Sequence, residues 1–173
     1  ETRLLGPALP TDVSVDFVIA NGAIPLGYVG AQTIQATVFQ NGDTDLTNVP
    51  VTLNITGTET MTDTQNVSSL LKCGTGGSLV TFTPFSPTLL GSNTLTVSVP
   101  ADAAPANDTL ARQMDVTVNK LSFEHAGTPA DGGAGFSAAG AEFVSRFNVI
   151  STQLDSATLN FFSATATSYR LVV

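Results

Sequence analysis

In the stretch QNGDTDLTNVPVTLNIT, residues 40–56, Asp43 and Asp45 stand one residue apart behind a glycine. That spacing occurs in calcium loops, where the ion gathers roughly six to eight oxygens from carboxylates, carbonyls and hydroxyls. Asp43, Asp45, the hydroxyls of Thr44 and Thr47 and nearby carbonyls could supply part of such a shell. The full D-x-D-x-D-G pattern and its distal glutamate are absent. Asn, Gly and Asp are also what a tight turn uses, for positive φ and for bonds from side chain to backbone. The stretch therefore reads first as a corner between two strands, with calcium as its secondary reading. Asp102 and Asp108, in PADAAPAND, are read the same way. No other cofactor is expected.

The remaining reactive residue types are sparse. Cys73 is the single cysteine, so no intrachain disulfide and no thiolate cluster can form, and it reads as a small, half-buried residue. His125 is the single histidine. A nucleophile–base pair would need it beside Ser or Cys with an orienting carboxylate, and the adjacent Glu124 would point to the other face of a strand. No G-x-S-x-G elbow is present, and the runs GTGG and DGGAG do not lie between a strand and a helix. A carboxylate pair for glycoside hydrolysis would lack an aromatic cleft, since the chain has no Trp. The expectation is a protein without catalytic residues. Sequons at Asn54, Asn66 and Asn107 read as chance in a Thr-rich chain.

The 173 residues suit one domain or one and a part, and 42% hydrophobic content is ample for a core. Only 12% of residues are charged and the net charge is −8, which sets the chain against phosphate backbones and anionic membrane surfaces. No apolar run approaches the roughly 18 residues of a membrane-spanning helix. The first residues lack a basic-then-apolar signal pattern, and the last stop inside a strand-like run, which suggests a piece cut from a longer protein. Abundant Thr with little charge and no paired cysteines points to an exported, extracellular or surface protein, of bacterial rather than eukaryotic type.

Alternation sets the elements. Val13, Val15, Phe17 and Ile19 share one face, as do Ile34, Ala36 and Val38, then Val49, Val51, Leu53 and Ile55. Pro50, near the strand start, asks for an edge or an entry position because it cannot donate to a ladder. TGTETMTDTQ reads as an exposed edge strand or hairpin arm, and NVSSLLKCGTGG as a turn. Val80 with Phe82, Leu95 with Val97 and Val99, and Met114 with Val116 and Val118 complete the series. Short strands with turn signals about every ten residues predict an all-β fold, an antiparallel β-sandwich of immunoglobulin-like topology over residues 1–119.

IQATVFQNGDTDLTNVPVTLNITG and the later NTLTVSVPADAAPANDT resemble a CARDB-type domain, the bacterial cell-adhesion-related immunoglobulin-like module. The resemblance lies in the Asn41-Gly42 corner, the Val49 to Leu53 strand, the Phe-then-Gly-then-Leu-Thr-Val run in VTFTPFSPTLLGSNTLTV, and the acidic loop with Asp102 and Asn107. It spans residues 11–119 and departs from the family at Pro84, where many members carry an aromatic. It implies a spacer or adhesive appendage of a large surface protein and transfers no catalytic residues.

From residue 120 the texture changes to Gly and Ala, then returns to a β pattern at Phe143, Phe147 and Val149, at Leu159 and Phe161, and at Tyr169, Leu171 and Val173. Residues 120–173 are similar to the opening strands of a jelly-roll and are short for a sandwich. They are expected to belong to a second β domain or to form a packing or assembly extension. The leading expectation is a structural or adhesion module that spaces neighbouring domains. Alternatives are a carbohydrate- or partner-binding module, with Tyr28, Phe39 and Phe85 as candidate contacts, and a filament subunit joined to identical subunits by strand exchange.

Overall fold

The computed structural model describes residues 9–27 and 30–123, together with Ser156. Tyr28, Glu124, His125 and the β-patterned residues singled out beyond them lie outside the described residues. Eight strands run in chain order: β1 Val13–Ile19, β2 Ala23–Pro25, β3 Gln35–Gln40, β4 Leu46–Gly57, β5 Met61–Leu70, β6 Ser78–Thr81, β7 Gly91–Ser98 and β8 Thr109–Thr117. They form two sheets, β1-β3-β6 and β2-β8-β7-β4-β5. Strands β8, β7 and β4 are the G, F and C strands of an immunoglobulin-like sandwich, and they face an A-B-E sheet made of β1, β3 and β6. Strand β5 extends the first sheet beyond β4. The fold is an all-β, immunoglobulin-like sandwich. One pair departs from the antiparallel expectation: β2 lies parallel to β8, with Ile24 opposite Val116. It falls in a stretch that reads as turn, because a three-residue strand has no alternation to detect.

Strict alternation holds wherever pairing is regular. Val49, Val51, Leu53 and Ile55 of β4 are buried, as are Leu95 and Val97 of β7, and they meet Ile34, Ala36 and Val38 of the facing sheet in one core. Burying each such side chain contributes roughly 1.5–3 kcal/mol relative to exposure. Pro50 pairs with Asn66 of β5, whereas β4 meets β7 only from Thr52 onward. Its missing N–H therefore disturbs no ladder on the open side, in keeping with the edge position expected of it.

Strand β1 breaks the alternation. Val15 opposes Val38, but Phe17 opposes Thr37, so Asp16 is an extra residue in a bulge. One extra residue moves everything beyond it to the other face. Val18 is buried, and Phe17 and Ile19, expected in the core, stand 59% and 49% exposed. At the far end β8 stops at Thr117, which leaves Val118 exposed instead of buried. NVSSL is strand rather than turn, since β5 continues to Leu70 against β4.

Two carboxylates of the larger sheet are held by hydrogen bonds, Asp63 on the edge strand β5 and Asp115 on β8. Asp63 Oδ2 accepts from Gln65 Nε2 at 2.9 Å and from the Thr83 N–H at 2.8 Å. Asp115 Oδ1 accepts from Ser92 Oγ at 2.7 Å and Gln113 Nε2 at 2.9 Å. These bonds hold both carboxyls below the ordinary range, the Gln65 bond foremost for Asp63 and the Ser92 bond foremost for Asp115. A depressed carboxyl adds stability above the pKa of the unfolded chain, about 4, and that stability is lost as pH falls through and below this value. Urea midpoints should therefore decline from pH 5 toward about pH 2. The double variant Asp63→Asn with Asp115→Asn should flatten that decline.

Candidate functional site

The corner quoted above is organised by a residue that carries no charge. Gln40 ends β3 at an inward-facing position, in phase with Ala36 and Val38, and is 1% exposed. Its side-chain amide is fully used. Nε2 donates to the Pro10 carbonyl at 3.1 Å and the Thr44 carbonyl at 2.7 Å. Oε1 accepts from the Asp12 N–H at 3.0 Å and the Gly42 N–H at 3.2 Å. One side chain thus ties the segment before β1 to the turn after β3. The signal was present in the sequence as a polar residue on the inward side of an alternating strand, immediately before Asn-Gly.

Around it the corner closes through backbone. The Asp43 N–H donates to Leu9 O, the Cys73 N–H to Gly42 O and the Gly74 N–H to Gln40 O. None of residues 41–45 has positive φ. The expectation that Asn-Gly-Asp serves left-handed geometry is therefore corrected. The glycine is required for close approach, since a Cβ on Gly42 would lie 2.7 Å from both Leu9 O and Pro10 O. Gly42→Ala must push the N-terminal segment off the turn. The expected result is a destabilisation of about 1–3 kcal/mol in a urea titration, the usual scale for overpacking.

The candidate carboxylates take structural places at this pole. Asp43 is exposed and its Oδ1 accepts from Thr44 Oγ1 at 3.2 Å. Asp45, also exposed, accepts from the Lys72 N–H at 2.9 Å and so fastens the β5–β6 turn. Asp102 binds the Val13 N–H through Oδ2 at 2.6 Å and the Ala104 N–H through Oδ1 at 2.7 Å, which joins the β7–β8 loop to the start of β1. Asp108 is buried, and its Oδ2 accepts from the Asp102 N–H at 3.3 Å. Asn107 Nδ2 reaches Asp12 Oδ1 at 2.8 Å. Asn107 Oδ1 and Asp108 Oδ1 are buried without a protein hydrogen-bond partner. Among the described residues no three of His, Cys, Asp and Glu converge closely enough to hold a metal ion.

The aromatic candidates separate. Phe85 is 5% exposed and belongs to the core, and its backbone pairs with Gln32. It is not a surface contact, because the chain after β6 folds back to form that bridge. Phe39 is half-buried and covered by Gly77, whose added Cβ would meet the ring at 2.4 Å. Tyr28 lies outside the described residues. Cys73, read as half-buried, is exposed and has a φ of 61° in the β5–β6 turn.

The sandwich has two distinct poles. The chain enters through Leu9–Val13 at the pole of the corner and the β7–β8 loop. It leaves past Ser122, whose N–H donates to Ala23 O at 2.9 Å, beyond the opposite end of β1.

No family model matches the chain, and no curated protein matches it. Among solved structures it is similar to the CARDB domain of a Pyrococcus furiosus protein, a crystal structure in complex with di-metal ions. The two share 15% identity, and the similarity covers 63% of this chain and 96% of that one with a TM-score of 0.49. The solved domain carries the same family name that the sequence resembles.

Proposed function

We propose that the sandwich is a non-catalytic structural module of a large extracellular or surface protein and holds neighbouring domains apart. The observation that carries this reading is the placement of the chain at opposite poles, which puts the sandwich in line between whatever precedes residue 9 and whatever follows residue 123. Seven residues of β1 alone separate the poles by about 20 Å. Force along that axis pulls β2 and β8 past each other. Their bonds, among them Leu26 N–H to Thr117 O at 2.8 Å and Asp115 N–H to Gly22 O at 2.9 Å, then share the force instead of opening one by one. The candidate acids support the same reading, because Asp45, Asp102 and Asp108 accept from backbone N–H groups within the pole. The outer faces of β4 and β5 present hydroxyls and amides that pair with each other, Thr52 with Thr64 at 2.9 Å and Thr62 with Asn54 at 2.8 Å.

Stretching single molecules of the full chain between handles at its two ends tests the reading. A spacer gives a discrete unfolding event, and Leu26→Pro, which deletes one shared bond, lowers its force. Gradual extension with no discrete event would overturn the proposal.

A further inference from the structure

Two asparagines in this chain, Asn21 and Asn41, are followed by glycine, and every other asparagine is followed by a residue with a side chain. Asn-Gly is the pair at which an asparagine amide breaks down most readily in water. The glycine nitrogen gives up its proton to base and attacks the asparagine Cγ. A bond forms from Cγ to that nitrogen, the Cγ–Nδ2 bond breaks, and the amide leaves as ammonia. Water then opens the resulting succinimide to aspartate or isoaspartate, so one water enters and one ammonia departs. Glycine favours the attack because no Cβ obstructs the approach and its backbone turns freely.

In the sandwich both pairs are held against this reaction in the same way. Asn21 Nδ2 donates to Gln32 Oε1 at 2.8 Å, and the Gly22 N–H donates to Ser122 O at 2.8 Å. Asn41 Nδ2 donates to Ser14 Oγ at 3.0 Å, and the Gly42 N–H donates to Gln40 Oε1 at 3.2 Å. Both glycines are buried. The nitrogen that must lose a proton is thus bonded and shielded from base, and the amide that it must reach is fixed in place. The two pairs lie at opposite poles. Gly22 is bonded by the segment through which the chain leaves, and Gly42 packs against Leu9 and Pro10 of the segment through which it enters.

We propose that Asn21 and Asn41 are latent deamidation sites, one at each pole, silent while the pole is closed and reactive once it opens. Opening at Ser122 frees the Gly22 N–H and leaves the corner around Gln40 intact. Lifting the entering segment removes the Pro10 carbonyl and the Asp12 N–H, two of the groups that seat the Gln40 amide over Gly42, and leaves Gly22 bonded. Either product adds a carboxylate to a chain whose net charge is already −8. Isoaspartate also adds a carbon to the main chain, so the pole does not close in its former geometry. Each site therefore keeps a permanent record of opening, and comparison of the two tells which end opened.

The test incubates the full chain in mildly alkaline buffer and follows asparagine, aspartate and isoaspartate at positions 21 and 41 by peptide mapping and mass spectrometry. In the unaltered protein both sites react slower by about tenfold or more than in the same chain unfolded in guanidinium chloride, because reaction runs only from the open fraction. Gln32→Ala, which frees the Asn21 amide, speeds position 21 several-fold and leaves position 41 unchanged. Ser14→Ala, which frees the Asn41 amide, does the reverse. Slow amide exchange in β4 and β7 identifies variants whose sandwich remains folded. Reaction at either site as fast in the native chain as in the unfolded chain would overturn the proposal, whatever the variants do. So would folded variants that speed both sites alike or neither, since the two poles would then not be held separately by these contacts.

Discussion

Gln40→Leu should be among the most damaging single changes in this protein. Leucine matches the volume and keeps the inward position apolar, so a scheme that ranks residues by alternation alone would expect a gain. The structure reverses that expectation. Removing the amide takes the partner from the Pro10 and Thr44 carbonyls and from the Asp12 and Gly42 N–H groups in a partly buried corner. Each unmatched buried group costs about 1–3 kcal/mol. Allowing for relaxation of the turn, the expected loss is about 3–5 kcal/mol, a third or more of the stability of an ordinary domain. Urea or thermal unfolding followed by circular dichroism would measure it. Gln40→Glu separates hydrogen bonding from shape. Its carboxylate can still accept from Asp12 and Gly42 but cannot donate to the two carbonyls, so it should be destabilised at neutral pH and partly restored in acid, where the carboxyl regains one proton to donate. If Gln40→Leu unfolds at the same urea concentration as the unaltered protein, the corner is not held by this side chain.

Phe82→Ala should produce a loss of similar size by a different route. Phe82 follows β6, is 2% exposed, and heads the fully buried side chains in size. Its N–H donates to Ile34 O at 3.0 Å, which pins the ring's position before any packing is considered. Truncation leaves a cavity that the surrounding β-branched and leucine side chains cannot fill, and such changes cost about 3–5 kcal/mol. The exposed Leu71 offers the control: Leu71→Ser should stay within about 0.5 kcal/mol. A Phe82→Ala protein as stable as the control would mean that the ring is not part of the core.

Much of the fold is legible in the residues themselves. The inward faces of β3, β4 and β7 follow directly from alternation, as does the place of Pro50 on the part of β4 that β7 does not reach. Strand β5, with its run of Thr and Asn, reads correctly as a hairpin arm at the sheet edge. The candidate site was legible only in outline. Asp43, Asp45, Asp102 and Asp108 were marked for their spacing. The structure shows what their positions share: one pole, where Asp45 and Asp102 accept from backbone N–H groups of segments far away in sequence and Asp108 from the N–H of Asp102. The residue that organises that pole, Gln40, has neither a charge nor a motif to mark it.

What the sequence by itself determined is the two-layered β architecture and the identity of most core residues, because the two-residue period of a strand is a local property that any regular stretch displays. What only the tertiary structure decided depends on pairing between distant segments. The extra residue at Asp16 exists only relative to β3, yet it turns Phe17 and Ile19 outward and creates the apolar face of the smaller sheet. The bridge from Gln32 draws Phe85 inward, and the parallel match of β2 to β8 sets the strands against each other along the axis between the poles. Such features arise from hydrogen bonds between residues tens of positions apart, and no short window of sequence contains both partners.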